Sequence, residues 1–285
     1  MSFSPDRLAV GRERWVVAAF VVVLVVLIMA EVAHDFRPAK LSVVFMALAY
    51  GPLVALHEAG HAMACHALGW RILRVEIGQG RRLLRFRVGN VPVDVRWLPV
   101  GGFVVPAPVR LRRPRLESAL IYAAGPGIEL LLSLCVALVV GVERLFGAST
   151  SLGVIFAQSV VIVVGLHLFF NLIPLGISDG PHQDGPTDGL GILLSPFLRP
   201  WHLAEMIARP WRLRIQDEPS AERRVEICRE GLGHHPSNPH LLLLLADALG
   251  DLGDVYGARE HRLEALQSGS LPGEVAAQLR ARLGR

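Results

Sequence analysis

Two histidines four residues apart, His57 and His61, with Glu58 beside the first, are the residues of this chain whose types and spacing point to shared chemistry. On an α-helix, positions i and i+4 share a face, so both imidazoles can reach one Zn²⁺ while the glutamate stands ready to hold a water. The string alone is weak, because such His/Glu patterns also decorate surface helices. Here it lies inside an apolar stretch, Leu41 to Leu68, where ionisable side chains are expensive and are kept for function. A catalytic zinc takes three protein ligands and leaves the fourth position to water, so a third ligand must come from elsewhere. Ala64 stands where an extended three-histidine motif would need glycine, and Glu76 falls on a predicted strand with no supporting motif. The segment after the last apolar span is the better source.

The elements that position this pair are read from composition. At 285 residues and 52% hydrophobic, with a mean hydropathy of +0.43, the chain is too apolar for an ordinary soluble domain. Residues 1 to 14 carry Arg7, Arg12 and Arg14, and Trp15 to Ala33 is a run whose only charge is Glu31. That run is long enough to cross a bilayer and lacks a clear cleavage site, so it is expected to be a retained anchor. Leu41 to Leu68, Glu117 to Val142 and Leu152 to Ile173 are the next three apolar stretches. The expected fold is therefore an α-helical polytopic membrane protein of about four transmembrane helices. Its regions are an anchor span over 1–40, a membrane core over 41–198 and a soluble helical tail over 199–285.

Between Trp70 and Arg115 the pattern changes to short alternating runs, Leu73 to Ile77, Leu83 to Val88, Val91 to Trp97 and Phe103 to Val105, which predict β-hairpins over about 71–110. This segment holds eleven arginines, against Arg37, Lys40 and Arg144 in the opposite loops. The positive-inside rule puts it, and both termini, on the cytoplasmic side. Without stacking aromatics or a binding motif, the arginines do not imply nucleic acid. Cys65, Cys135 and Cys228 are widely separated and imply no disulfide framework. Leu190 to Leu198 is too short to span and is expected to be a half-helix or a surface segment starting at the last Asp-Gly. In the tail, Ala221 to Leu232 and a helix pair over His240 to Ser268 resemble one and a half tetratricopeptide repeats. So few repeats need packing against the membrane domain, a protein partner or a second copy.

Four motifs stand in order: His57-Glu58-Ala59-Gly60-His61, Leu98-Pro99-Val100-Gly101-Gly102-Phe103, Ala124-Gly125-Pro126 and Asn171-Leu172-Ile173-Pro174 followed by Asp-Gly pairs. Over roughly Leu41 to Leu194 the chain thereby resembles the site-2 proteases, intramembrane zinc metalloproteases that cleave transmembrane-helix substrates. The resemblance implies one zinc on His57, His61 and an aspartate, Glu58 as general base, and Asn171 positioning substrate or steadying the site. Family spacing from Pro174 selects Asp179 as third ligand. The family aspartate also opens the next apolar helix, which selects Asp188. Asp188 is favoured over Asp179, with Asp184 and His182 as lesser candidates. Where the family's alanine-glycine-proline motif continues to asparagine, this chain has Glu129.

The implied activity is an intramembrane zinc endopeptidase acting on transmembrane protein in a bacterial-type plasma membrane. The competing class is an inactive membrane scaffold that recruits a cytosolic partner through its tail. A metal transporter would need a second polar pathway, which the remaining spans lack.

Overall fold

The computed structural model describes residues 36–178 and 184–284, with isolated positions between 23 and 34. The first apolar run, Trp15 to Ala33, lies largely outside the described residues. Among those described, three helices are long and apolar enough to cross a membrane. They are α1 (Ser42–Ala67, 26 residues), α2 (Pro114–Val140, 27 residues) and α4 (Leu152–Leu172, 21 residues). At 1.5 Å per residue they run about 39, 40 and 32 Å, each sufficient for a hydrocarbon layer of about 30 Å.

The chain divides into two compact units. One comprises Met1–Tyr50 with Leu132–Leu166. Within it the Phe45 and Phe156 rings meet edge to face at 5.5 Å. The Gln158 amide donates at 2.8 Å to the carbonyls of Arg144 and Gly147, around the short helix α3 (Val142–Phe146). The other unit, Gly51–Leu131 with His167–Arg285, holds everything that follows.

α1 ends because Gly69 turns left-handed at φ +73°, which lets the Trp70 N–H return to the Cys65 carbonyl at 2.8 Å. Its glycine Gly60 permits close packing on α2, since a Cβ there would stand 2.6 Å from the Ala124 carbonyl oxygen.

The predicted hairpins are two long, irregular strands, β1 (Arg71–Val88) and β2 (Val91–Ala107). Arg82 to Val88 pairs with Val91 to Arg96, and Arg71 to Ile77 pairs with Gly102 to Ala107. Val75, Glu76 and Ile77 also face Val93, Asp94 and Val95, so the four runs read from the sequence make one small sheet. That register sets two buried carboxylates opposite each other, Glu76 and Asp94. Like charges so placed repel unless each is matched. Arg96 Nε donates to Glu76 Oε2 at 2.5 Å, Arg74 Nε lies 3.1 Å from Glu76 Oε1, and Arg85 binds both Asp94 oxygens at 2.6 and 2.7 Å. Three of the eleven arginines therefore staple the sheet.

After α4, the short strands β3 (Gly176–Ser178) and β4 (Asp184–Pro186) pair, and the chain enters α5 (Asp188–Leu194), the expected half-helix, which runs on into a 3-10 turn through Phe197. The tail consists of α6 (Pro200–Gln216), α7 (Ala221–His234), α8 (Pro239–Asp251), α9 (Val255–Gln267) and α10 (Gly273–Leu283). Asn238 caps α8 through its side chain, while its amide reaches the Ala204 carbonyl on α6 at 2.8 Å. α6 has two apolar sides. Leu203 and Met206 pack with Cys65, Trp70 and Ile121 of the membrane helices and β-region, whereas Trp211 and Ile215 pack with Cys228, Leu245 and Leu249 of the tail.

Candidate metal centre

His57 and His61 lie on the buried face of α1, and their Nε2 atoms stand 3.0 Å apart. Each ring is anchored from behind. His57 Nδ1 meets Glu129 Oε1 of α2 at 2.9 Å, and His61 Nδ1 meets the Ile121 carbonyl at 2.6 Å. An acceptor at each Nδ1 fixes the proton there, so both Nε2 lone pairs turn inward.

Asp188 completes the cluster, with its oxygens 2.8 Å from His57 Nε2 and 3.3 Å from His61 Nε2. Its position follows from local chemistry. The Thr187 hydroxyl donates to the Ile173 carbonyl at 2.7 Å and accepts from the Leu175 N–H at 3.1 Å, tying the start of α5 to the end of α4. Gly189 is required because a Cβ there would collide with the Leu172 carbonyl, and Gly191 because one would stand 2.5 Å from the Tyr122 ring.

Two imidazole lone pairs and a carboxylate therefore converge in a buried space. A single proton can relieve only one such contact, whereas a divalent ion relieves all three. Ligands at about 2.0 to 2.1 Å from a tetrahedral zinc lie about 3.3 Å from one another, close to the spacings observed. The residues thus fit a metal ion. Gly125 leaves room for it, because a Cβ there would stand 2.6 Å from His57 Nε2 and closer still to His61 Nε2.

Glu58 is buried, and its Oε2 has no hydrogen-bond partner among the described residues. Gly102, from the second sequence motif, lets the strand approach it, since a Cβ would stand 2.8 Å from Glu58 Oε1. A cavity of about 400 Å³ opens beside the cluster, walled by Gly101 to Pro106 of β2, by Asn171 and by Met206 and Arg209 of α6.

Of the residues singled out by sequence, His57, Glu58, His61, Asn171 and Asp188 come together around this cavity. Asp179 and His182 lie outside the described residues. Asp184 falls on β4. Glu76 is held by its arginines. Glu129 and His167 complete the surroundings of the cluster. Both are buried in the network, His167 Nδ1 standing 2.5 Å from Glu129 Oε1. A carboxylate inside an apolar span was the available signal.

Residues 45–164 match the model of peptidase family M50. Over 61 residues the chain is 39% identical to a protein of Chlamydia trachomatis serovar D named as a zinc metalloprotease, covering 21% of this chain and 10% of that one. Over 86 residues it is 33% identical to one of Synechocystis with the same name, covering 26% and 24%. A chloroplast membrane metalloprotease of Arabidopsis thaliana is 31% identical over 86 residues, covering 26% and 20%. The matches span about a quarter or less of these relatives' lengths. They bear out the resemblance to the site-2 protease family.

Proposed function

We propose that this chain is an intramembrane zinc endopeptidase that cleaves transmembrane protein substrates in a bacterial-type plasma membrane. The observation that carries the reading is the convergence of two inward-facing Nε2 atoms and the Asp188 carboxylate beside an unpartnered, buried Glu58 oxygen. In this reading His57, His61 and Asp188 hold one zinc per chain. When bound, the metal would polarise the scissile carbonyl and lower the pKa of water.

The chain's own groups supply the rest. Glu58 Oε2 takes the proton of the attacking water and returns it to the amine as the C–N bond breaks. Asn171 presents an amide on the cavity wall. Apolar helices exclude bulk water, which strengthens each of these interactions. A helical substrate must unwind before its carbonyls can be reached, and its freed backbone groups then need partners. The Gly101 to Pro106 segment on the cavity wall is suited to supply them by edge pairing. Proline or charge substitutions along every exposed edge that left cleavage unchanged would remove this step.

The reading further assigns four spans, counting Trp15 to Ala33, with both termini cytoplasmic, and a tetratricopeptide-like tail that meets a protein partner or a second copy. The deciding experiment measures metal content and cleavage of a transmembrane peptide for wild type and Glu58→Gln. One zinc in both, with cleavage only in the wild type, is expected. Zinc without Glu58-dependent cleavage would leave a scaffold.

A further inference from the structure

Glu129 is the most deeply buried acid in the membrane helices among the described residues, at 0% exposure. Its oxygen Oε1 receives two bonds, from His57 Nδ1 at 2.9 Å and from His167 Nδ1 at 2.5 Å, while Oε2 has no partner among the described residues. The Asn171 amide lies 3.2 Å from His167. The two imidazoles meet edge to face, 4.9 Å between centroids.

From these contacts, and resting on the metalloprotease reading above, we infer that Asn171, His167 and Glu129 form one buried relay that positions His57 for the metal. The chain of bonds runs from α4 through α2 to α1. Glu129 Oε1, 2.5 Å from His167 Nδ1, holds the His167 proton there, and the Asn171 amide stands 3.2 Å from both ring nitrogens of His167. Glu129 in turn holds the proton of His57 on Nδ1 and so keeps the His57 Nε2 lone pair turned toward His61 and Asp188. A carboxylate with a second donor is fixed in place, whereas one with only His57 would rotate. His167 is therefore a positioning residue, and Asn171 steadies its ring.

His57, Glu129 and His167 also have the composition of a second metal site. Their protonation argues otherwise. Around Asp188, three acceptors converge and need a cation. Around Glu129, two N–H donors meet one acceptor and need none.

The test uses the full-length chain in lipid nanodiscs, with zinc affinity from chelator competition and the visible spectrum of the Co²⁺-loaded protein. Glu129→Ala is expected to weaken zinc about 10- to 100-fold and shift the cobalt bands. Glu129→Gln, which keeps Oε1 as an acceptor for both histidines, restores most of that loss. His167→Ala weakens zinc less, and the Glu129→Ala/His167→Ala double variant is no worse than Glu129→Ala alone, because both act through one unit. Asn171→Ala adds nothing on the His167→Ala background.

Unchanged affinity and spectrum in Glu129→Ala would overturn the relay, as would two metals per chain with one lost in His167→Ala. If Glu129→Ala does not fold, His167→Ala with wild-type affinity and spectrum would do the same. A wild type that binds no zinc would sink the protease reading instead. The relay is then decided without metal, by nitrogen-15 histidine spectra. His57 and His167 as Nδ1–H tautomers in the wild type and in Glu129→Gln, with His57 mixed in His167→Ala, would support it, and mixed tautomers in the wild type would overturn it.

Discussion

Two buried charge clusters lie in the same unit and differ in their accounting. In the sheet, all four oxygens of Glu76 and Asp94 lie within 3.1 Å of a guanidinium nitrogen, and of the nitrogens that meet them Arg74 Nε alone makes an ion pair without a hydrogen bond among the described residues. At the metal centre, Glu58 and Glu129 each keep one oxygen with no partner among the described residues, and Asp188 adds a third carboxylate. A closed set of pairs holds a shape. An open set holds a place for something else, a cation and a reacting water, at a standing cost to stability.

The same chemical change should therefore act oppositely in the two clusters. The largest effect is on turnover: Glu58→Gln should cut cleavage about 10²- to 10⁴-fold while zinc content stays at the wild-type level. Next comes Gly125→Ala, whose methyl would occupy the ligand space. A folded, zinc-depleted protein is expected by circular dichroism and metal analysis, and full zinc occupancy would disprove the close approach. Thermal unfolding without metal gives the sharpest contrast. Glu76→Gln should lose about 2 to 3 kcal/mol by stranding Arg74 and Arg96, whereas Glu58→Gln should gain about 1 to 2 kcal/mol by removing an unpaired charge. Shifts of the same sign would break the comparison.

The smallest effect is a pH dependence. Arg85 holds the Asp94 carboxyl below its usual range. A lowered folded-state pKa contributes stability that is present above the unfolded value of about 3.9 and lost as pH falls through the folded one. Amide protection in β1 and β2 should fall below about pH 4, and in Arg85→Ala, already less protected at neutral pH, that acid-dependent fall should shrink or vanish.

How far the sequence reached follows the range of the interactions concerned. α1, α2 and α4 were legible because apolar length and small residues act locally, and the Asp188-Gly189 pair carried its signal in the apolar run after it. α6 lies inside the expected helical tail, yet its own span carries little helical signal: Pro210 inside it and the alternation of arginines with apolar residues argue against a helix, and what holds it is packing on both sides. The sheet was read as separate hairpins because Gly78 and Gly80, at φ +86° and +82°, look like breaks, yet β1 continues through them. Glu129 was visible as an anomaly, but its partners lie 72 and 38 residues away and only the folded helices bring them to it.

The double-sided packing of α6 sets where the molecule can be cut. Leu203 and Met206 belong to the membrane-side cluster, Arg209 to the cavity wall, and Ile215 to the tail core. A truncation at residue 199 would strip one wall from the cavity as well as removing the tail. The shortest fragment able to keep that wall must run at least through Gln216, and the apolar side it then exposes would need polar replacements at Trp211 and Ile215 to stay monomeric.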